Sequence, residues 1–209
     1  MKILLIGAAG TLGSRILKEA ISRNHDVTAV VRREGALGPA PHVQVVQADA
    51  RNADEVARLA AGHDVVVVAV SARREGDAPV PDVVRAVIDG VRKADVPRLF
   101  VLGGAGSLEV APGVQLVDTP AFPEAYKTEA LQGREALNVV RASDVNWTYL
   151  SPAVEISPGE RTGHYRTGGD QLLVDAEGRS FISAEDYAVA VLDELERPKH
   201  ERQRFTVAY

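Results

Sequence analysis

Apolar residues in this chain come first as short unbroken runs and then at helical spacing, and the two patterns alternate. Residues 2–6, KILLI, form an apolar run that stops at Gly7, which predicts a strand buried on both faces. Leu12, Ile16, Leu17, Ala20 and Ile21 then recur every three or four positions, so an amphipathic helix is expected from residue 11 to about 24. Further strands are predicted over 27–31, 43–47 and 65–70, and a short helix over 53–60. A longer helix, about 80–94, carries Val83, Val84, Val87, Ile88 and Val91 on one stripe, and a fifth strand over 98–102 runs into GGAGS.

Apolar strands that alternate with helices pair in parallel and carry helices on both faces. The expected fold class is therefore α/β, with a Rossmann-type doubly wound parallel sheet. The stretch 109–123 contains Pro112, Pro120 and Pro123 and reads as a loop. A helix over 124–142 and a strand over 146–150 follow. Beyond Pro152 the pattern loosens through SPGERTGHYRTGG to a short strand at 171–174 and a helix over 184–196. Ser183 suits the cap of that helix and Asp186 its first turn. A single domain spans 1–209.

Length and composition narrow the partners more than the fold. The 209 residues are 45% hydrophobic and 25% charged, with a net charge of −5, which suits one soluble domain and gives no basic face for nucleic acid. No run approaches the roughly 18 apolar residues of a membrane span, and MKILLIG lacks the layout of a cleavable signal, so a cytoplasmic setting is expected. There is no cysteine, and His25, His42, His63, His164 and His200 are scattered, so no metal is expected. Charge and composition leave monomer and homodimer open.

Gly7, Gly10 and Gly13 in GAAGTLG sit between the first strand and the first helix, where each glycine has its own reason to lack a side chain. The first permits a tight turn, the second lets backbone approach a pyrophosphate, and the third packs helix on sheet. Ala9, Thr11 and Leu12 complete a cradle of amides at the helix start. Where an NAD site carries an acid about 20 positions on, this chain has Arg32 and Arg33. Guanidinium groups there suit the 2′-phosphate of NADP(H). A solvated strand end is the plain alternative, and Glu34 leaves NAD(H) in play. Asp49 has two readings, reaching adenine beside Ala50 or capping the next helix. Ala69, Val70 and Ser71 end the fourth strand at the expected cofactor edge.

GAAGTLG, the arginine after the second strand, VVQADAR and NWTYLSPA together resemble the atypical short-chain dehydrogenase/reductases. More narrowly, FVLGGAGSLEVAPG and DVNWTYLSPA resemble the compact NAD(P)H-binding group of NmrA-like sensors and flavin or biliverdin reductases. The resemblance implies a small C-terminal substrate cap, about 153–209, and places Pro152 to Val154 beside the nicotinamide. The wider superfamily uses Tyr-x-x-x-Lys for proton transfer, and here the sequence departs from it. Tyr126 is followed four positions later by Ala130, and the usual lysine falls near Leu131 or Gln132. Lys127 adjoins Tyr126 but points about 100° away around a helix.

Tyr126 and Ser107 are the candidate catalytic residues. Each has an ordinary structural alternative, a ring packed at a helix start for Tyr126 and a loop cap for Ser107. His164 and Tyr165 are candidate substrate contacts, with a surface hairpin as the alternative. Two functions fit. One is an NADPH-dependent oxidoreductase passing hydride to a small conjugated acceptor such as a flavin or quinone, with solvent as proton source. The other is a non-catalytic NADP(H) sensor of NmrA-like type, read by a partner protein.

Overall fold

The computed structural model describes residues 1–71 and 77–209. The elements in chain order are β1 (Lys2–Ile6), α1 (Thr11–Ser22), β2 (Asp26–Val31), β3 (Val43–Gln47), α2 (Ala53–Ala60), β4 (Val65–Val68), α3 (Val80–Lys93) and β5 (Leu99–Leu102). After a 3-10 turn at Ala105–Ser107 come β6 (Glu109–Ala111), β7 (Val114–Gln115), α4 (Glu124–Arg141), β8 (Trp147–Ser151) and β9 (Glu155–Ser157). The chain continues with β10 (Arg166–Gly168), β11 (Phe181–Ser183), α5 (Ala184–Glu196) and β12 (Gln203–Ala208).

Eight strands form one sheet in the order β10-β12-β8-β5-β4-β1-β2-β3. All neighbours are parallel except β10 and β12. Alternation of side chains builds two cores from the same strands. Ile3 and Leu5 of β1 and Val65 and Val67 of β4 face Ile16 and Leu17 of α1 and the buried stripe of α5. Leu4, Ile6, Val66 and Val68 face Val56 of α2, Val84 and Val87 of α3 and Leu137 of α4. Two covered faces are the reason these strands are apolar at every position. The chain order reverses between β1 and β4, so a crevice opens there at the carboxyl edge.

Several boundaries and elements differ from expectation. β4 ends at Val68 rather than residue 70, although the Ala69 N–H still reaches the Ile6 carbonyl at 2.8 Å. The loop expected over 109–123 contains the β6–β7 hairpin. The strand expected at 171–174 reduces to a single bridge of Gln171 to Glu109. The chain bends soon afterwards because the Asp175 carboxylate accepts the Glu177 and Arg179 N–H groups. The C-terminal stretch divides its work. α5 packs beside α1 and β12 pairs with β8 inside the main sheet, while β9 and β11 form a separate two-stranded ladder.

Among the described residues no helix is long and apolar enough to cross a membrane, and no group of three His, Asp or Glu is placed to hold a metal ion.

Candidate nucleotide site

The turn from β1 into α1 is built by contacts that only glycine permits. Gly7 has φ +85°, and a Cβ on it would stand 2.3 Å from the Ala69 carbonyl oxygen. A Cβ on Gly13 would stand 2.1 Å from the Gly7 carbonyl oxygen, so the helix can lie against the turn only while that position is bare. At Gly10 the nearest atom to such a Cβ would be the Gly7 oxygen at 3.2 Å. A methyl group there would fill the hollow over the turn rather than break it.

The amides at this turn lie ahead of the helix ladder. The first helical bond runs from the Ser14 N–H to the Gly10 carbonyl at 2.9 Å, so the Thr11, Leu12 and Gly13 N–H groups precede the ladder. Gly10 offers no capping side chain and the first turn carries no acid. Three other helices are closed by side chains, whereas α4 starts behind Pro123 without one. Asn52 accepts the Asp54 and Glu55 N–H groups of α2 at 3.1 and 3.2 Å, and Ser183 accepts the Asp186 N–H of α5 at 3.0 Å. The Val80 N–H of α3 is capped from another helix by Gln132 Oε1 at 3.0 Å. An uncapped N-terminus beside a hollow that a methyl would fill fits a diphosphate.

At the adenosine end, Arg32 follows β2 with its guanidinium in solvent, and its Nη1 meets Asp77 Oδ1 at 2.6 Å. The Arg32 carbonyl accepts Gln47 Nε2 at 3.2 Å, and Arg33 is exposed. Ala48, Ala50, Val70 and Ala78 are half-buried and pack on the same core cluster. Ala69 is half-buried and Ser71 exposed. Asp49 does not cap α2, because Asn52 takes that role and holds the chain three residues nearer the helix. The Asp49 carboxylate is gripped by Arg51, with Nη2 at 2.6 Å, and that pairing holds its carboxyl below the usual carboxylate range.

At the other end, Ser151 at the end of β8 and Pro152 and Ala153 beyond it are buried, whereas Val154 is 54% exposed and its N–H donates to Ser180 Oγ at 3.2 Å. Ser107 is 2% exposed, and its hydroxyl accepts Arg204 Nη1 at 3.2 Å. That guanidinium is also bound by Asp170, with Nε at 2.7 Å. Tyr126 is 62% exposed at the start of α4.

The residue four positions beyond Tyr126 is packed against the turn after β5. A Cβ on Gly106 would stand 2.6 Å from the Ala130 Cβ, so the turn after β5 lies directly on α4 at this residue. Gln132, near the place of the usual lysine, is spent on capping α3. Behind them Tyr149 is fully buried and donates to the Gly133 carbonyl at 2.7 Å. Burial pushes its phenol well above the ordinary range.

His164 is exposed and Tyr165 donates to Asp193 at 2.7 Å, tying the loop before β10 to α5. The same loop is held by two further carboxylates. Buried Asp186 accepts Thr162 Oγ1 at 2.5 Å, the Gly163 N–H at 2.7 Å and the Tyr209 hydroxyl at 2.7 Å. Glu19 of α1 takes Arg161 through two bonds of 2.8 Å. The contacts made by Asp77, Gln132, Asp186 and Arg204 escape a reading of the sequence because their partners lie 45, 52, 23 and 97 positions away.

Comparison with known proteins agrees with this geometry. The chain matches the NAD(P)H-binding family over residues 7–198. Its fold superposes on the crystal structure of a candidate exported protein from Burkholderia pseudomallei with a TM-score of 0.91, at 49% identity and 100% coverage of both chains. A candidate epimerase from Bacteroides thetaiotaomicron gives 0.92 at 43% identity, covering 100% of this chain and 96% of that one. A candidate NADH-flavin reductase from Streptococcus pneumoniae TIGR4 gives 0.84 at 33% identity, covering 100% and 99%. With its glycine turn, open helix end and parallel sheet, the chain belongs to the NAD(P)H-binding family of Rossmann-fold proteins.

Proposed function

We propose that this protein is an NAD(P)H-dependent reductase that passes hydride to a small conjugated acceptor, a flavin or a quinone, with NADPH as the preferred donor and a cytoplasmic setting. The observation that carries this reading is a pair of facts at one edge of the sheet. The α1 amides stand uncapped beside the glycine hollow, and no lysine stands four residues beyond Tyr126, where Ala130 packs against Gly106. Hydride chemistry belongs to the nicotinamide, so the chain has to bind, orient and exclude water.

In this reading the Thr11, Leu12 and Gly13 amides hold the diphosphate, with Gly7, Ala9 and Gly10 shaping the turn. Arg32 and Arg33 meet the 2′-phosphate, and Asp49 and Ala50 border the adenine. Ala69, Val70 and Ser71 line the passage, and Pro152 and Val154 flank the nicotinamide. Ser107 fixes the turn after β5 through Arg204, and Tyr126 offers its exposed ring to the acceptor. Conjugated acceptors need no enzymic acid, since water protonates the reduced product. The test is NADPH oxidation followed at 340 nm with FMN and a panel of quinones. Turnover with at least one acceptor supports the reading, and an inert enzyme that binds the coenzyme overturns it.

The missing relay equally favours a second reading, a sensor that binds NADP(H) and is read by a partner. Coenzyme-dependent capture of a partner by a protein inert toward every acceptor is its signature.

A further inference from the structure

We propose that Asp77 is a specificity-determining residue that weakens the preference for 2′-phosphorylated coenzyme set by Arg32. The inference rests on the reading of a nucleotide site given above. The β2 strand ends without the acid that would hold a ribose 2′-hydroxyl. The structure supplies a carboxylate to the same place from the loop that leads into α3, because Asp77 Oδ1 stands 2.6 Å from Arg32 Nη1 across 45 positions of chain.

The two partners are unequally anchored. The Arg32 side chain is 67% exposed and that of Asp77 only 8%. Next to Asp77, Ala78 is half-buried against the core cluster. The guanidinium is the member that can move. A guanidinium carries five N–H donors, so a phosphate can join it without first expelling the carboxylate. Either route is unfavourable for a 2′-phosphate. Sharing Arg32 sets a second anion against Asp77, and taking Arg32 away leaves a largely enclosed carboxylate without that cation. A 2′-hydroxyl meets neither obstacle and can donate to the carboxylate. Asp77 thus offsets in space the bias that Arg32 and Arg33 create in sequence, and the chain discriminates less between NADPH and NADH than two arginines alone would.

The test is a double-mutant cycle on the full chain, with dissociation constants for NADPH and NADH measured by calorimetry. Asp77→Asn is expected to tighten NADPH about fivefold, the upper range for a pair whose cation is in solvent, and to change NADH by less than about twofold. Asp77→Ser, which removes the charge with a smaller side chain, gives the same shift if the amide disturbs the loop. In an Arg32→Ala background the Asp77→Asn effect on NADPH disappears.

Weaker NADPH binding by Asp77→Asn overturns the proposal, because Asp77 would then hold Arg32 in place for the phosphate. An equal gain in the Arg32→Ala background also overturns it, since the effect would be general charge. Wild-type protein that binds neither coenzyme instead removes the nucleotide site itself, a result distinct from binding with an unaltered ratio.

Discussion

Ala130 of α4 meets Gly106 so closely that a Cβ on the glycine would lie 2.6 Å from the alanine methyl. This contact joins the turn after β5 to the helix that carries Tyr126, and it closes the position four residues beyond that tyrosine. Installing the missing lysine by Ala130→Lys therefore creates overpacking rather than catalysis. The variant is expected to lose about 1–3 kcal/mol of stability and to gain no carbonyl reductase activity. Thermal unfolding and an aldehyde reduction assay check both halves.

The glycines of the first turn separate stability from affinity. Gly13→Ala drives a methyl into the Gly7 carbonyl, 2.1 Å from its Cβ, and is expected to destabilise the fold by more than about 3 kcal/mol. Gly10→Ala meets its nearest atom at 3.2 Å. It should cost under about 1 kcal/mol of stability while weakening coenzyme binding about tenfold or more, because the methyl occupies the hollow. Denaturant unfolding and calorimetry on the same samples separate the two effects.

Gln132 replaces a cap that α3 cannot provide for itself, since Pro79 stands at its N-cap position. Gln132→Ala is expected to lower stability by about 1 kcal/mol, a fall of about 2–4 °C in Tm for a chain of this length. Gln132→Glu retains the acceptor and the stability.

The loop before β10 gives the fold an acid-sensitive seam. Burial raises the Asp186 carboxyl, but bonds from Thr162, Tyr209 and Gly163 outweigh it and hold the group below its usual range. Arg161, ahead of an opposing burial effect, and Arg23 do the same for Glu19. A carboxyl lowered on folding contributes stability that is present above its unfolded value, about 4 for these residue types, and that is lost as pH falls through the folded value. Wild type is expected to exceed Asp186→Asn by about 1–3 kcal/mol at pH 7, and the gap to shrink below about pH 4. Chemical unfolding across that range measures it.

Sequence pattern made the Rossmann half of the fold legible because β1, β2, β4 and β5 are apolar strands buried on both faces and α1 and α3 bury one stripe each. β3 and α2 lie where their spacing placed them, at Val43–Gln47 and Ala53–Ala60. The later strands were hidden for a different reason. β9, β10 and β11 have three residues each, too few to show a period, and exist through their partners. β12 alternates little, since Phe205, Thr206, Val207 and Ala208 are all buried. In the site, glycines and the Arg32 position could be read because the motif is local. The role of Gln132 could not, because a cap delivered from another helix leaves no mark near the helix it closes.

The pairing of β12 with β8 sets a schedule for assembly. β8 is synthesised more than 50 residues ahead of its outer neighbour, with all of α5 between them. Until residues 203–208 leave the ribosome, the nascent sheet ends on a bare, apolar Trp147–Ser151 edge, a template for intermolecular pairing. Arg204, arriving with β12, then meets Asp170 and Ser107 and ties the loop after β5 to that strand, so this end of the crevice takes shape only once β12 is in place.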